Sequence, residues 1–319
     1  MARAFVFPGQ GSQAVGMGQA LAASSPAARE VIEEVDDALG QKLGALMADG
    51  PEATLTLTEN AQPAIFAVSM AVVRHLEREA GIKMADYAIY LAGHSLGEYT
   101  ALAAAGSITI ADGARVLRRR GRAMQRAVPA GKGGMAALIG ADREMAYAIA
   151  GEAAEAIGAG AVCVVANDNA DGQLVISGHQ SAIDKALVLA KERGIKRAVP
   201  LTVSAPFHSP LMEPAADEMR DVLAETAMAA PVLPIVTNVT AEAESDPERL
   251  RDLLIEQVTA PVRWRESVLW MRDKGVETLV ELGGSKVLSG LTRRIDRTLS
   301  ALSVQVPEDV DALAEALGS

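Results

Sequence analysis

Residues 87–105 read YAIYLAGHSLGEYTALAAA. The run "YAIYLA" predicts a buried strand, and the alanine-rich sequence after Ser95 predicts a helix. Gly93–Gly97 therefore fits G-x-S-x-G at a strand-to-helix junction, the form of a nucleophile elbow. A serine at such a turn is held under backbone strain, and small residues on either side let neighbouring backbone pass close. Its hydroxyl emerges at a helix N-terminus, where free N–H groups and the helix dipole favour negative charge. Leu96 N–H, the next along the chain, is the natural first donor to an oxyanion. Ala101, Ala103, Ala104 and Ala105 allow the helix to pack tightly on a sheet. The competing reading of the pattern is a serine that only caps a helix.

Outward from this junction, strand and helix signals alternate. Ala4–Phe7 is a short β-like run ending in the glycine-rich turn "PGQGSQ". Helical periodicity follows over 27–39, and again over 63–79 after "TENAQP", with Pro63 suited to a first helical turn. "PIVTNV" and "ETLVEL" predict later strands. This order indicates an α/β fold, a mostly parallel sheet with helices on both faces. The middle differs. "VPAGKGG" (128–134) predicts a linker. After it come strand "MAALIG", helix 142–157, strands "AVCVVAN" and "GQLVISG", helix 181–193 and strand "IKRAVPL". That β-α-β-β-α-β order is the ferredoxin-like unit. The expected division is a discontinuous large α/β domain, 1–127 and 200–319, with a small ferredoxin-like subdomain, 128–199, inserted in it.

The bulk composition narrows the class. The chain has 319 residues, of which half are hydrophobic and only 3% aromatic, so the core is built mainly from Ala, Val, Leu, Ile and Met. Against 30 Lys and Arg stand 41 Asp and Glu, a net charge of -11, which argues against a nucleic-acid footprint spread over the surface. The single cysteine, Cys163, lies in "AVCVVA" and reads as a buried strand thiol. No Cys/His pattern suggests a metal, no apolar run is long enough to span a membrane, and the first residues do not read as a signal peptide. The expectation is a soluble, monomeric cytoplasmic protein with no nucleic-acid or membrane partner.

A serine nucleophile needs a base, and there are four histidines. His75 sits among charges in "VVRHLERE" and reads as a solvated helix residue. His179 follows "VISG" and reads as a turn or cap. His94 adjoins Ser95, but neighbours at such a turn point apart, so it reads as support. His208, in "SAPFHSPLM", lies in a loop stiffened by Pro206 and Pro210 and follows the serine in chain order. It is the base by elimination. No Asp or Glu stands out to orient it, which leaves a concealed acid or a backbone carbonyl.

An arginine stands where the pattern does not want one. In "ADGARVLRRRGRAMQRAV", Arg115, Arg118, Arg119, Arg122 and Arg126 share one helical face, read as solvated. Arg120 shares the opposite face with Leu117 and Met124. A buried unpaired charge costs several kcal/mol, so Arg120 needs a partner. An internal salt bridge or a snorkelling stem would answer, as would a substrate carboxylate held by the guanidinium fork. Gly9-x-Gly11-x-x-Ala14 fits the relaxed dinucleotide fingerprint, but Gly16 and Gly18 would break the helix that it requires. A backbone donor near Gln10 suits an oxyanion hole better.

Taken together, "VFPGQGSQ", "TENAQPAI", "GHSLGEYTAL", "RRGRAMQ", "NDNADGQLVISG", "SAPFHSPLM", "QVTAPVRW" and "ELGGSKVL" resemble, in order and over nearly the whole chain, the malonyl-CoA:acyl carrier protein transacylase family of fatty-acid synthesis. The resemblance implies an α/β-hydrolase-like large domain and an S-malonyltransferase using malonyl-CoA and acyl carrier protein, without metal or bound cofactor. It implies Ser95 as acylated nucleophile, His208 as general base and acid, Gln10 and Leu96 as oxyanion donors and Arg120 as the malonyl carboxylate receptor. Gln257 matches the residue whose main-chain carbonyl orients the histidine; His94 and Asn169 match positions lining or supporting the site. Phe207 before His208 resembles the pairing of malonyl-selective relatives. The rivals are an esterase or thioesterase of the α/β-hydrolase type, a freestanding transacylase of polyketide synthesis and a non-catalytic docking subunit. Because acyl carrier proteins are acidic, a local basic surface from the Arg115–Arg126 face and residues near Lys132 is expected to meet one.

Overall fold

The computed structural model describes residues 2–203 and 205–318. Along β1 (Ala2–Phe7), side chains alternate between two cores: Phe5 and Phe7 enter one, Ala4 and Val6 the other. A strand apolar on both faces needs cover on both, which is the condition for a sheet buried between helices. The remaining strands are β2 (Tyr90–Gly93), β3 (Gly133–Ile139), β4 (Cys163–Ala170), β5 (Gln173–His179), β6 (Arg197–Pro200), β7 (Ile235–Val236), β8 (Ala243–Glu244), β9 (Val276–Leu282) and β10 (Ser300–Val304). The large sheet runs β10-β9-β1-β2-β7-β8. Its neighbours are parallel except for β8, which returns antiparallel on β7.

The register β1–β2 pairs Phe7 with Gly93, so both strands end at the same level. The turn after β1 and the elbow after β2 therefore lie side by side, and His94 N–H donates to Phe7 O (3.0 Å). This is the carboxyl edge of the sheet, where open α/β folds build their sites.

The second sheet runs β4-β5-β3-β6, with every pair antiparallel. Helices Arg143–Ile157 and Gln180–Glu192 cover it, and Leu138, Ile149, Ile176 and Ile183 are among the residues of its own core. The β-α-β-β-α-β order and this strand arrangement make it ferredoxin-like. It is stitched to the large sheet's side of the molecule where Ala166 O and Asp168 N–H pair with Val262, and where Arg265 holds Asp168 (3.0 Å). Among the described residues, no helix is long and apolar enough to cross a membrane.

Three local expectations are corrected. The helix expected to start at Pro63 starts at Thr58 and runs to Arg78, with Pro63 inside it. Pro63 forfeits one backbone hydrogen bond there, but tertiary anchors hold the first turns. Asn60 donates to Thr54 O (2.8 Å), and Gln62 is buried against Arg120. The expected linker 128–134 already belongs to β3 from Gly133, where a Cβ would strike the Pro206 ring at 2.5 Å. "PIVTNV" yields only the two residues of β7, because Asn238 turns out of the sheet towards the elbow. The short β8 and the edge strand β10 add to the strands expected from the sequence.

Candidate active site

Ser95 has φ 52° and ψ −110°, a left-handed conformation that a residue with a Cβ adopts only under constraint. The two glycines explain themselves sterically. A Cβ on Gly93 would lie 1.9 Å from the Gly97 carbonyl carbon, and one on Gly97 would lie 2.2 Å from Phe7 O. The strain is held by a clamp that sequence reasoning missed. Asn238 Oδ1 accepts from Ser95 N–H and its Nδ2 donates to Gly93 O, both at 2.6 Å. One amide thus brackets the elbow on both sides.

His208, also at positive φ (54°) and 4% exposed, brings Nε2 to 2.8 Å from Ser95 Oγ. Its Nδ1 lies 2.9 Å from Gln257 O. A carbonyl only accepts, so Nδ1 carries the proton and Nε2 presents its lone pair to the serine hydroxyl. The orienting partner left open in the sequence is therefore a backbone carbonyl. Burial, and then the neighbouring Arg120 charge, push the imidazole down to about 3.

Arg120 is 1% exposed. Its Nη1 donates to Gln62 Oε1 (2.9 Å), and its Nη2 donates to Gln257 Oε1 (2.9 Å) and Ser95 Oγ (3.1 Å). The guanidinium lies 5.5 Å from the centre of the Tyr99 ring. Its Nε has no hydrogen-bond partner, and among the described residues no carboxylate forms an ion pair with it. Three neutral acceptors take three of the five guanidinium N–H groups, and two, one on Nε and one on Nη1, are left over. Gln62, which the sequence did not single out, is what aims it.

Ser95, His208, Arg120, Gln10, Leu96, His94 and Phe207 line one cavity of about 300 Å³. Leu96 opens the helix Leu96–Ala104, so its N–H belongs to the first turn, whose donors lack intrahelical acceptors. Gln10 stands on the turn after β1 and ties its side chain to Thr58 Oγ1 (3.2 Å). His94 turns away from the serine: its Nε2 is 2.8 Å from Asn169 Oδ1, and Trp264 packs 5.9 Å from its ring. Asn169 thus braces His94, while its strand neighbour Asn167 joins the cavity lining together with Met135 and Leu201. Of the other histidines, His75 meets Glu79 (3.1 Å) and His179 Nδ1 accepts from Val162 N–H (3.0 Å), both remote in role from the serine.

The arginine face of helix Ile110–Ala127 is corrected. Arg118 is buried rather than solvated, while Arg119 and Arg126 share Glu218, Arg122 meets Glu59 and Arg115 meets Asp112. Five arginines thus stand against three acids, which leaves this face net positive.

The acyl transferase domain family matches residues 4–307. The chain belongs to the acyl transferase family. A malonyl CoA-acyl carrier protein transacylase of Bacillus subtilis is 42% identical over 314 residues, 98% of this chain and 96% of that protein. The crystal structure of an acyl-carrier-protein-S-malonyltransferase from Bartonella henselae superposes with a TM-score of 0.96 at 51% identity, covering all of both chains. A malonyl-transacylase solved in complex with its type II PKS acyl-carrier protein gives 0.94 at 40% identity, over 99% of this chain and 100% of that one.

For an acyltransferase built this way, the low His208 basicity has a measurable outcome. With its folded value near 3 instead of the ordinary 6.5, His208 stays neutral as pH falls through 6 and 5. The burst of Ser95 acylation by p-nitrophenyl acetate should hold its rate to about pH 4, instead of halving near pH 6.5. The unfolded chain binds this proton at higher pH than the folded one. The His208 contribution therefore lowers stability progressively as pH falls from 6.5 towards 3.

Proposed function

We propose that this acyltransferase moves the malonyl group of malonyl-CoA to the phosphopantetheine thiol of an acyl carrier protein by way of a malonyl-Ser95 ester. The observation that carries the reading is that Ser95 Oγ lies within hydrogen-bond distance of both the His208 base and the buried Arg120 fork. The malonyl carboxylate takes the Arg120 guanidinium, and the thioester carbonyl lies over Ser95. His208 Nε2 accepts the hydroxyl proton as Oγ bonds to the carbonyl carbon. The tetrahedral oxyanion is received by the N–H groups of Gln10 and Leu96. The C–S bond breaks, the His208 proton passes to the departing CoA thiolate, and the ester remains. The carrier's thiol then gives its proton to His208, attacks the ester and releases Ser95 Oγ, which is reprotonated. His94 and Asn169 support the elbow, and Phe207 narrows the acyl pocket. No step calls for a metal or a bound cofactor.

In this reading the division is 1–127 with 200–319, and 128–199, an assignment supported by the separate core under the second sheet. The enzyme acts as a cytoplasmic monomer on a carrier of fatty-acid synthesis, and a polyketide carrier is the second reading, favoured by the likeness to the PKS complex.

Intact mass measured after incubation with malonyl-CoA tests the proposal. One malonyl group should be gained, mapped to the Ser95 peptide, and lost when holo acyl carrier protein is added while the carrier gains it. Free malonate without carrier acylation would identify the esterase alternative instead.

A further inference from the structure

Behind the serine and the arginine lies a carboxylate that the reaction scheme does not use. Glu98, third residue of the helix Leu96–Ala104, has no solvent exposure. Its Oε2 accepts from Asn238 N–H and from Gln257 Nε2, both at 2.9 Å, while Oε1 has no hydrogen-bond partner. Each of these donors acts on the site with its other atoms. Asn238 brackets the elbow with its side-chain amide. Gln257 turns Oε1 to Arg120 and its main-chain O to His208.

A glutamine amide has nearly the same shape either way round, so its partners decide which end points where. Arg120 can only donate, and an ionised Glu98 can only accept. Only one orientation satisfies both, and Ser95 O, 3.1 Å from Gln257 Nε2, asks for the same one. A half-turn of the amide would set NH2 against guanidinium and carbonyl against carboxylate.

We propose that Glu98 is a positioning residue: through the Gln257 amide it fixes the Arg120 guanidinium beside Ser95 and thereby sets the preference for acyl groups that end in a carboxylate. This rests on the reading of Arg120 as the receiver of the malonyl carboxylate. The charged and titratable groups facing Glu98 are Tyr99 from its own helix and Arg120 from helix Ile110–Ala127; the Asn238 and Gln257 segments face it with uncharged amides. Burial raises the Glu98 carboxyl to about 7, against the lowering pull of Asn238, Gln257 and Arg120. Below neutrality the carboxyl takes a proton and ceases to be an obligate acceptor.

The test compares wild type, Glu98→Ala and Glu98→Gln with malonyl-CoA and acetyl-CoA as donors, reading kcat and KM for each between about pH 6 and 8. For wild type, the malonyl-over-acetyl ratio of kcat/KM should fall as pH drops through 7. Glu98→Ala should lower that ratio about tenfold at pH 8, through KM for malonyl-CoA, with KM for acetyl-CoA little changed. In Glu98→Gln the amide oxygen can take both hydrogen bonds, with NH2 in the place of Oε1. As a neutral stand-in for the protonated acid, it should hold at every pH the lower ratio that wild type reaches near pH 6, above that of the alanine variant, and show no pH dependence of it. An equal fall with both donors in a folded Glu98→Ala would leave only a structural role and overturn the proposal. If the alanine variant does not fold, a Glu98→Gln profile that keeps the wild-type pH dependence overturns it equally. A wild type that forms no malonyl-serine ester defeats the reading of the function itself; one that forms it, with all three proteins sharing one ratio and profile, defeats only the role of Glu98.

Discussion

Ser95→Ala is expected to gain no malonyl group from malonyl-CoA and to lose transfer to carrier protein by roughly 10⁴-fold or more. The loss is large because the double displacement has no second route: without Oγ, neither half-reaction has a covalent acceptor. The same protein should remain folded. The elbow conformation is held by Asn238 on the backbone at Gly93 and Ser95, not by the hydroxyl. Adding His208→Ala to Ser95→Ala should cost little more, since groups that act as one unit are not additive. The sole thiol offers no substitute nucleophile, because Cys163 is buried in the second core and burial raises its thiol to about 12. Persistence of a malonyl adduct in the alanine variant would move the nucleophile elsewhere and end this assignment.

Arg120→Ala should lower kcat/KM for malonyl-CoA by about 10²- to 10³-fold while leaving acetyl transfer equal or faster. Charge-assisted hydrogen bonds contribute about 1.5–3 kcal/mol each, and a two-pronged hold on a carboxylate in a buried site supplies the stated range. The gain on the uncharged group has a separate cause. After burial, the Arg120 charge is the next largest influence pushing the His208 imidazole down, so its removal makes the base stronger. Arg120→Lys should not restore malonyl transfer, because one ammonium on a flexible stem cannot reach Gln62 and Gln257 together with the geometry of a planar fork. Steady-state kinetics with the two donors decide the matter. Parallel losses for both would mean that the guanidinium serves the serine and not the acyl carboxylate.

What could be read from sequence was what local chemistry encodes. The elbow is legible because strand, Gly-x-Ser-x-Gly and helix are contiguous, and because two glycines without room for a Cβ leave a pattern in five residues. Arg120 is legible because helical periodicity sets it on the apolar face, and His208 because three other histidines could be set aside. Gln62, Asn238 and Glu98 carried no such mark. Each acts by a long-range contact: 58 residues separate Gln62 from Arg120, 143 separate Asn238 from Ser95, and 159 separate Glu98 from Gln257. Their importance exists only once the chain closes. The misplaced helix start at Pro63 has the same origin, since propensity favours proline in a first turn whereas buried anchors at Asn60 and Gln62 extend the helix before it.

The histidine that leans on a peptide carbonyl has a further consequence for how long the acyl group waits. A carboxylate partner would stabilise imidazolium strongly and make a base able to strip protons from water. A carbonyl dipole offers less, and a thiol with an ordinary pKa near 8.5 surrenders its proton far more readily than water at 15.7. An acyl ester on Ser95 should therefore pass to a thiol far faster than it leaks to solvent.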